Sequence, residues 1–384
     1  MIADTEPPSR MRAAYIAEYN KPYALGERPL PSIRDTDILV RVHAAGFCHS
    51  DLQALQGEFE KPAPIGLIPS HEIAGTIAKI GSSYKGNLKV GDRVGVLNFK
   101  HACGSCVGCR LTARKGEKLD PRFCDGRETA GFLHDGGFAD YASADPETTV
   151  RLPDTISFQQ AAPLTCAGAT VWGSLEAAPL TCAGATVWGS LEAATSGLSK
   201  GEIVAIVGIG GLGHLGVQFA KALGFRTIAV DSREAGRKLA EDVENHELKP
   251  DLVVDSSDTD CASKIIYDFT KGEGVAAAVV CTPSLEANRW ALKILRIKGT
   301  LGILGLPQNP WQFDAAPLVF KELSIKGSYV AGKEATDRMM RIVKEVGVRS
   351  HLTIIPFDRI PSIVDMYEDA SFKGRIVVQI KDDD

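Results

Sequence analysis

No apolar run in this sequence is long enough to cross a bilayer: the longest, such as "IVAIVGIGGLG", fall well short of the about 20 residues a spanning helix needs. Nor is positive charge in excess. The formal charge is -5 over 384 residues, which leaves no basic stripe for nucleic acid. The opening "MIADTEPPSRMRAAYI" lacks the basic-then-apolar order of a secretory signal and reads as a polar lead-in to a first strand. Without such a signal, the nine cysteines are not expected to form the disulfide staples of small secreted domains. These absences point to a soluble, cytoplasmic protein with neither membrane nor nucleic-acid partners. With 44% hydrophobic and 24% charged residues, the chain can bury large cores and is expected to divide into two domains.

Four of the cysteines stand in one segment, "CGSCVGCRLTARKGEKLDPRFC". Cys103, Cys106, Cys109 and Cys124 follow C-x2-C-x2-C-x14-C. Short gaps let successive thiolates turn onto one side of a tight loop, and a distant fourth closes a tetrahedron, which suits a structural zinc. Four thiolates leave no position for water, so this metal would hold a lobe in shape rather than catalyse. A second cluster lies upstream, in "GFCHSDLQALQG" and "PSHEIAGTIAKIG". Cys48 and His71 are ligand types of a three-ligand zinc site, and Ser50, Asp51 and Glu72 supply oxygen groups suited to its surroundings. For Asp51 the competing role is an exposed helix-capping carboxylate. A third soft ligand is needed.

The stretch "GEIVAIVGIGGLGHLGVQFAKALGFRTIAVD" reads as strand, glycine turn, helix and second strand. Gly208, Gly210 and Gly213 make the G-x-G-x-x-G pattern, with Gly211 and Leu212 completing the turn, and Asp231 follows Gly210 by 21 positions. That context marks a dinucleotide site. An acid at Asp231 can accept from ribose hydroxyls and repel a 2'-phosphate, favouring NAD, although Arg233 lies close enough to blunt the preference. Beyond it, "DLVVD", "VAAAVVC", "GTLGILG" and "ELSIKGSYV" alternate with helical stretches, as in a parallel sheet covered on both faces. Before Pro153 the chain is rich in glycine, proline and short strand-like runs, which suggests a mostly β domain carrying the metals.

The order "GFCHSDL", "SHEIAG", "KVGDRVGV", "CGSCVGC", "AAPLTCAGATVW", "VGIGGLGHLGVQFAKALG", "KELSIKGSYV", "FKGRIVVQI" resembles the zinc-dependent alcohol dehydrogenases of the medium-chain dehydrogenase/reductase superfamily, and most of all their yeast and fungal tetrameric branch. The resemblance implies an α/β protein: a GroES-like β domain (1–176 and 329–384), a duplicated linker segment (177–192) and a doubly wound Rossmann domain (193–328). It also implies a homotetramer. Cys48, His71 and the cysteine of "TCAG" would hold the catalytic zinc, with Glu72 a nearby carboxylate, Ser50 the hydroxyl that takes the substrate proton, and Asp51 the group orienting His71. The metal would polarise the alcohol oxygen as hydride leaves carbon for the nicotinamide. His49 and Arg375 match residues on the cofactor pyrophosphate, and Lys333 stands where the yeast branch has arginine. A polyol or aryl-alcohol dehydrogenase, or a pseudoenzyme holding NAD and one zinc, are the alternatives. Phe59 and Phe99 are expected to narrow the pocket toward short substrates. Gln53 stands in place of a proton-relaying histidine. Ser70 replaces the usual glycine before His-Glu, which suggests that no positive φ is required there.

The sixteen residues "AAPLTCAGATVWGSLE" occur twice in succession without a change, so the third ligand is Cys166 or Cys182. The first copy has the natural upstream context and the second the natural downstream one. Sixteen residues advance a helix by about 4.4 turns, so one helix would not present both cysteines to the same face. Surface connections absorb insertions better than a segment delivering a metal ligand, which favours Cys166 and puts the surplus in the linker.

Overall fold

The computed structural model describes residues 7–59, 61–114, 119–168, 195, 197–305, 307, 309–327, 332–369 and 371–381. The second copy of the repeat, Cys182 included, lies outside them. The chain divides into two compact units: Met1–Cys166 with Leu352–Asp369 and Arg375–Asp384, and Ala167–His351 with Ala370–Gly374. The return to the first unit therefore comes at Leu352, later than the expected 329, because the helix Lys333–Val346 belongs to the second unit.

The first unit is built on a seven-stranded sheet. Leu352–Pro356, Arg375–Gln379, Ile38–Phe47, Glu72–Ile80, Arg93–Val96 and Thr149–Arg151 lie side by side in that order, with Tyr141–Ala144 also paired to Ile38–Phe47. All pairings but the first are antiparallel. Ile38–Phe47 is buried along nearly its whole length, so it is the strand about which the core closes, and its end delivers Cys48 to the unit's interior. The chain turns there into the helix His49–Gln56, which Gly57 ends in a left-handed cap.

The second unit holds six parallel strands in the order Leu252–Asp255, Arg226–Asp231, Ile203–Val207, Val275–Val280, Leu295–Ile303, Ser324–Gly327. This is the doubly wound Rossmann order. Val275–Val280 is wholly buried, as a central strand covered on both faces must be. At Gly213 a Cβ would lie 2.0 Å from the carbonyl oxygen of Gly208, so only glycine lets the helix Gly213–Ala222 start this close to the turn. Gly208 itself has φ of 91°. Among the described residues, no helix is long and apolar enough to cross a membrane.

Candidate metal centres and dinucleotide turn

Cys48, His71, Glu72 and Cys166 come together with their ligand atoms within 4.8 Å of one another, all four buried. Cys48 caps the helix His49–Gln56, while His71 and Glu72 open the strand Glu72–Ile80 from its preceding loop. Cys166 arrives after the short helix Phe158–Pro163, in a widened turn over Leu164–Gly168 of the kind that often marks functional sites. Of the two repeated cysteines, Cys166 is the one described at this cluster.

Asp51 organises the site. Its carboxylate accepts from the Cys48 amide (2.9 Å), the Ser70 amide (3.1 Å) and His71 Nδ1 (3.0 Å), and it is fully buried. It thus serves as helix cap and as imidazole partner at once. With Nδ1 so engaged, His71 turns Nε2 to within 3.0 Å of Cys166 Sγ. Burial alone would lower the His71 pKa, but the charges of Asp51 and Cys48 raise it well above the usual value. The hydrogen bond between the two thiols pushes them apart: Cys48 is held well below the ordinary thiol range and Cys166 well above it. Burial lifts Glu72 to about 7 against the opposing charge of Arg375. One Glu72 oxygen pairs with Arg375 and the other, buried, has no hydrogen-bond partner. Two neighbouring sulfurs, an imidazole nitrogen facing them and an orphaned carboxylate oxygen form a donor set that fits a zinc ion.

Ser70 departs from the expectation of an ordinary backbone. Its φ is 75°, in the left-handed region, although it is not glycine. The loop is pinned there because the Ser70 amide reaches Asp51, its carbonyl accepts from the Gly137 amide at 2.7 Å, and its Oγ donates to the Gly46 carbonyl at 2.9 Å. A left-handed non-glycine residue costs about 1–2 kcal/mol, and one buried hydrogen bond returns about 1 kcal/mol. Ser70→Ala keeps the cost and loses the bond, and is expected to destabilise the protein by about 1 kcal/mol. Ser70→Gly relieves the strain as well and is expected to stay within about 0.5 kcal/mol of the parent. Urea unfolding of both variants checks the order.

Phe132 carries no signal in the sequence. Its ring lies 4.8 Å from that of His71 and meets Phe59 edge-on at 5.4 Å. Phe59 therefore reaches the histidine's surroundings through Phe132, whereas Phe99 is fully enclosed in the core. Ser50 is 8% exposed in the first turn of its helix; His49 beside it is exposed, with its ring 6.2 Å from that of Tyr367. Arg375, expected at the cofactor, is buried against Glu72. Lys333 opens the helix Lys333–Val346 in the second unit.

Cys103, Cys106, Cys109 and Cys124 form the second group, again within 4.8 Å. The helix Val107–Arg114 and the short turn Pro121–Phe123, capped by Asp120, occupy much of the long last gap. Backbone amides point at the sulfurs: Cys103 to Cys124 (3.2 Å), Cys106 to Cys103, Cys109 to Cys106 and Asp125 to Cys106 (3.4 Å each). Hydrogen bonds from Ser105 and Cys106 bring Cys103 down to about 6. Burial and neighbouring thiols push Cys109 up to about 12. These are four sulfurs arranged for a structural zinc.

In the second unit, Gly208, Gly210, Gly211, Leu212 and Gly213 form the turn between the strand Ile203–Val207 and the helix Gly213–Ala222. Asp231 ends the neighbouring strand and accepts from the Ile209 amide at 2.7 Å, so the turn and the acid are fixed to each other.

A GroES-like β unit with a buried Cys/His/Glu donor set and a four-cysteine group, carried on one chain with a Rossmann sheet, defines a zinc-binding dehydrogenase. Residues 34–154 match the alcohol dehydrogenase GroES-like domain and residues 211–345 the zinc-binding dehydrogenase family. An alcohol dehydrogenase of Geobacillus stearothermophilus is 33% identical over 370 residues, covering 96% of this chain and all of that protein. One from Rhizobium meliloti is 33% identical over 371 residues, with 96% and 99% covered. Among solved structures, the alcohol dehydrogenase of the archaeon Aeropyrum pernix superposes with a TM-score of 0.79 at 28% identity, covering 96% of this chain and all of that one. Acetophenone reductase of Geotrichum candidum, solved with NAD, gives 0.78 at 25%, with 99% and 100% covered. The chain belongs to the zinc-dependent medium-chain alcohol dehydrogenase family, and its activity is that of a zinc-dependent alcohol dehydrogenase.

Proposed function

We propose that the protein interconverts a primary or small secondary alcohol and its aldehyde or ketone, with NAD as hydride partner, as a cytoplasmic homotetramer of the yeast and fungal type. The observation that carries this reading is the convergence of Cys48, His71 and Cys166, with Glu72 beside them. A zinc ion held by these residues supplies Lewis acidity toward a substrate oxygen. Asp51 keeps the His71 proton on Nδ1, so that Nε2 stays turned to the two sulfurs. Ser50 takes the alcohol proton and passes it outward. Because Gln53 carries no titratable group, the relay either ends early or continues through water. Phe132 presents aromatic surface beside His71, with Phe59 packed edge-on against it, which supports short, apolar substrates over polyols.

Asp231, at the end of its strand, supports NAD as the preferred cofactor. Assembly is supported by the second unit's outer strand Ser324–Gly327 and by the adjoining Val319 and Phe320, which are 68% and 84% exposed. The paired thiol clusters suit a reducing compartment.

Turnover on a panel of short primary, secondary, aryl and polyhydric alcohols tests the reading. The expected order of kcat/KM places short mono-alcohols first. A polyol or aryl alcohol at the head of the panel contradicts the substrate assignment, and no turnover from a chain holding a single zinc identifies a pseudoenzyme.

A further inference from the structure

The carboxylate of Asp231 is 4% exposed and already saturated. Besides the Ile209 amide, it accepts from the Arg233 amide (2.8 Å) and from Nε (3.2 Å) and Nη2 (3.1 Å) of the Arg233 side chain. That side chain is 60% exposed, and its Nη2 reaches to 3.8 Å from where a Cβ on Gly210 would stand, over the glycine turn. Arg237 holds the turn from below, donating to the carbonyls of Asp231 and Ser232 and pairing with Asp255. The acid at the end of the strand is therefore not a lone negative charge but the buried half of a neutral pair whose arginine faces solvent.

We infer that Arg233 makes this site accept a 2'-phosphorylated dinucleotide as well as NAD. The inference rests on reading this turn as the NAD site and extends it to a second cofactor. An isolated aspartate rejects a 2'-phosphate by like charge. Here an incoming phosphate meets a guanidinium first. The carboxylate is buried but the arginine side chain is 60% exposed, so Arg233 can keep its Nε and Nη2 contacts to Asp231 and turn its remaining N–H donors to a phosphate. The guanidinium fork matches phosphate as well as it matches carboxylate. With NAD, the same arginine withdraws toward solvent and leaves Asp231 to the ribose hydroxyls. One residue thus serves both cofactors, and the preference for NAD is shallow.

Fluorescence titration of the zinc-loaded protein with NADH and with NADPH, in the absence of alcohol, tests this without relying on turnover. The parent is expected to bind NADPH within about tenfold of NADH, because the pair carries no net charge. In Arg233→Ala the ratio of the two dissociation constants is expected to move at least about tenfold against NADPH, since the carboxylate is then uncompensated. Asp231→Ser is expected to move it the other way. A parent that binds NADH but shows a gap of more than about a hundredfold for NADPH overturns the inference, as does an unchanged ratio in Arg233→Ala. Failure of the folded protein to bind either nucleotide overturns the underlying assignment of the turn instead.

Discussion

Cys166→Ser is expected to lose the zinc of the buried site and to lower kcat/KM by well over about a hundredfold, while Cys182→Ser stays within about twofold of the parent. Removing a group that only supports a ligand costs about 10–100-fold in affinity or activity, and removing the ligand itself costs more. The two cysteines have the same neighbours in sequence, so local chemistry does not separate them. Place in the fold does: Cys166 Sγ lies 3.0 Å from His71 Nε2 and within 4.8 Å of the Cys48 sulfur. Its backbone is fixed from upstream, where Ser157 caps the helix Phe158–Pro163 and that helix packs on the strands Ile38–Phe47 and Glu72–Ile80. Deletion of 177–192 retains that whole arrangement and is expected to leave activity intact or improved. Steady-state kinetics with metal analysis on the three variants reads the result. Activity lost in Cys182→Ser and kept in Cys166→Ser would reverse the register.

Cys124→Ser is expected to be worse for the fold than for the chemistry. Cys124 and Cys109 are fully buried, and the sulfurs of Cys103, Cys106 and Cys124 are already oriented by backbone amides, so the metal's binding energy is spent on holding the lobe. In small zinc domains that energy is about 10–16 kcal/mol, comparable with the whole stability of a domain. Serine removes a soft thiolate and leaves three. The variant should purify with one zinc fewer and melt at least about 10 °C lower, or fail to accumulate as folded protein. Cys106→Ser, at a more exposed sulfur, is expected to follow with a smaller loss. Thermal unfolding beside zinc content measures both, and a parent-like melting temperature with full zinc in Cys124→Ser contradicts the structural role.

Local motifs are legible in the amino-acid sequence because close spacing carries information about close approach. The four cysteines and the glycine turn with Asp231 are of this kind, and alternating apolar and helical stretches reveal the parallel sheet for the same reason. What the sequence hides depends on contacts between distant parts of the chain. Glu72 and Arg375 are 303 positions apart, and no spacing rule pairs them. Phe132 reaches His71 from a loop with no period of its own. At Ser70 the residue type suggests an ordinary backbone, yet φ there is dictated by tertiary crowding: a Cβ on Gly136 would lie 2.0 Å from the Ser70 carbonyl oxygen, and Asp51 draws the amide the other way. The return boundary at Leu352 is hidden because the amphipathic helix Lys333–Val346 can pack on either unit as far as its sequence tells.

Zinc stoichiometry of the purified, intact chain bears most directly on the claim that Cys48, His71 and Cys166 form a catalytic metal site beside a separate structural one. Two zinc ions per chain, falling to one in Cys166→Ser while the fold is retained, is the result this account predicts. A single zinc ion in the parent, unchanged by Cys166→Ser, would contradict it.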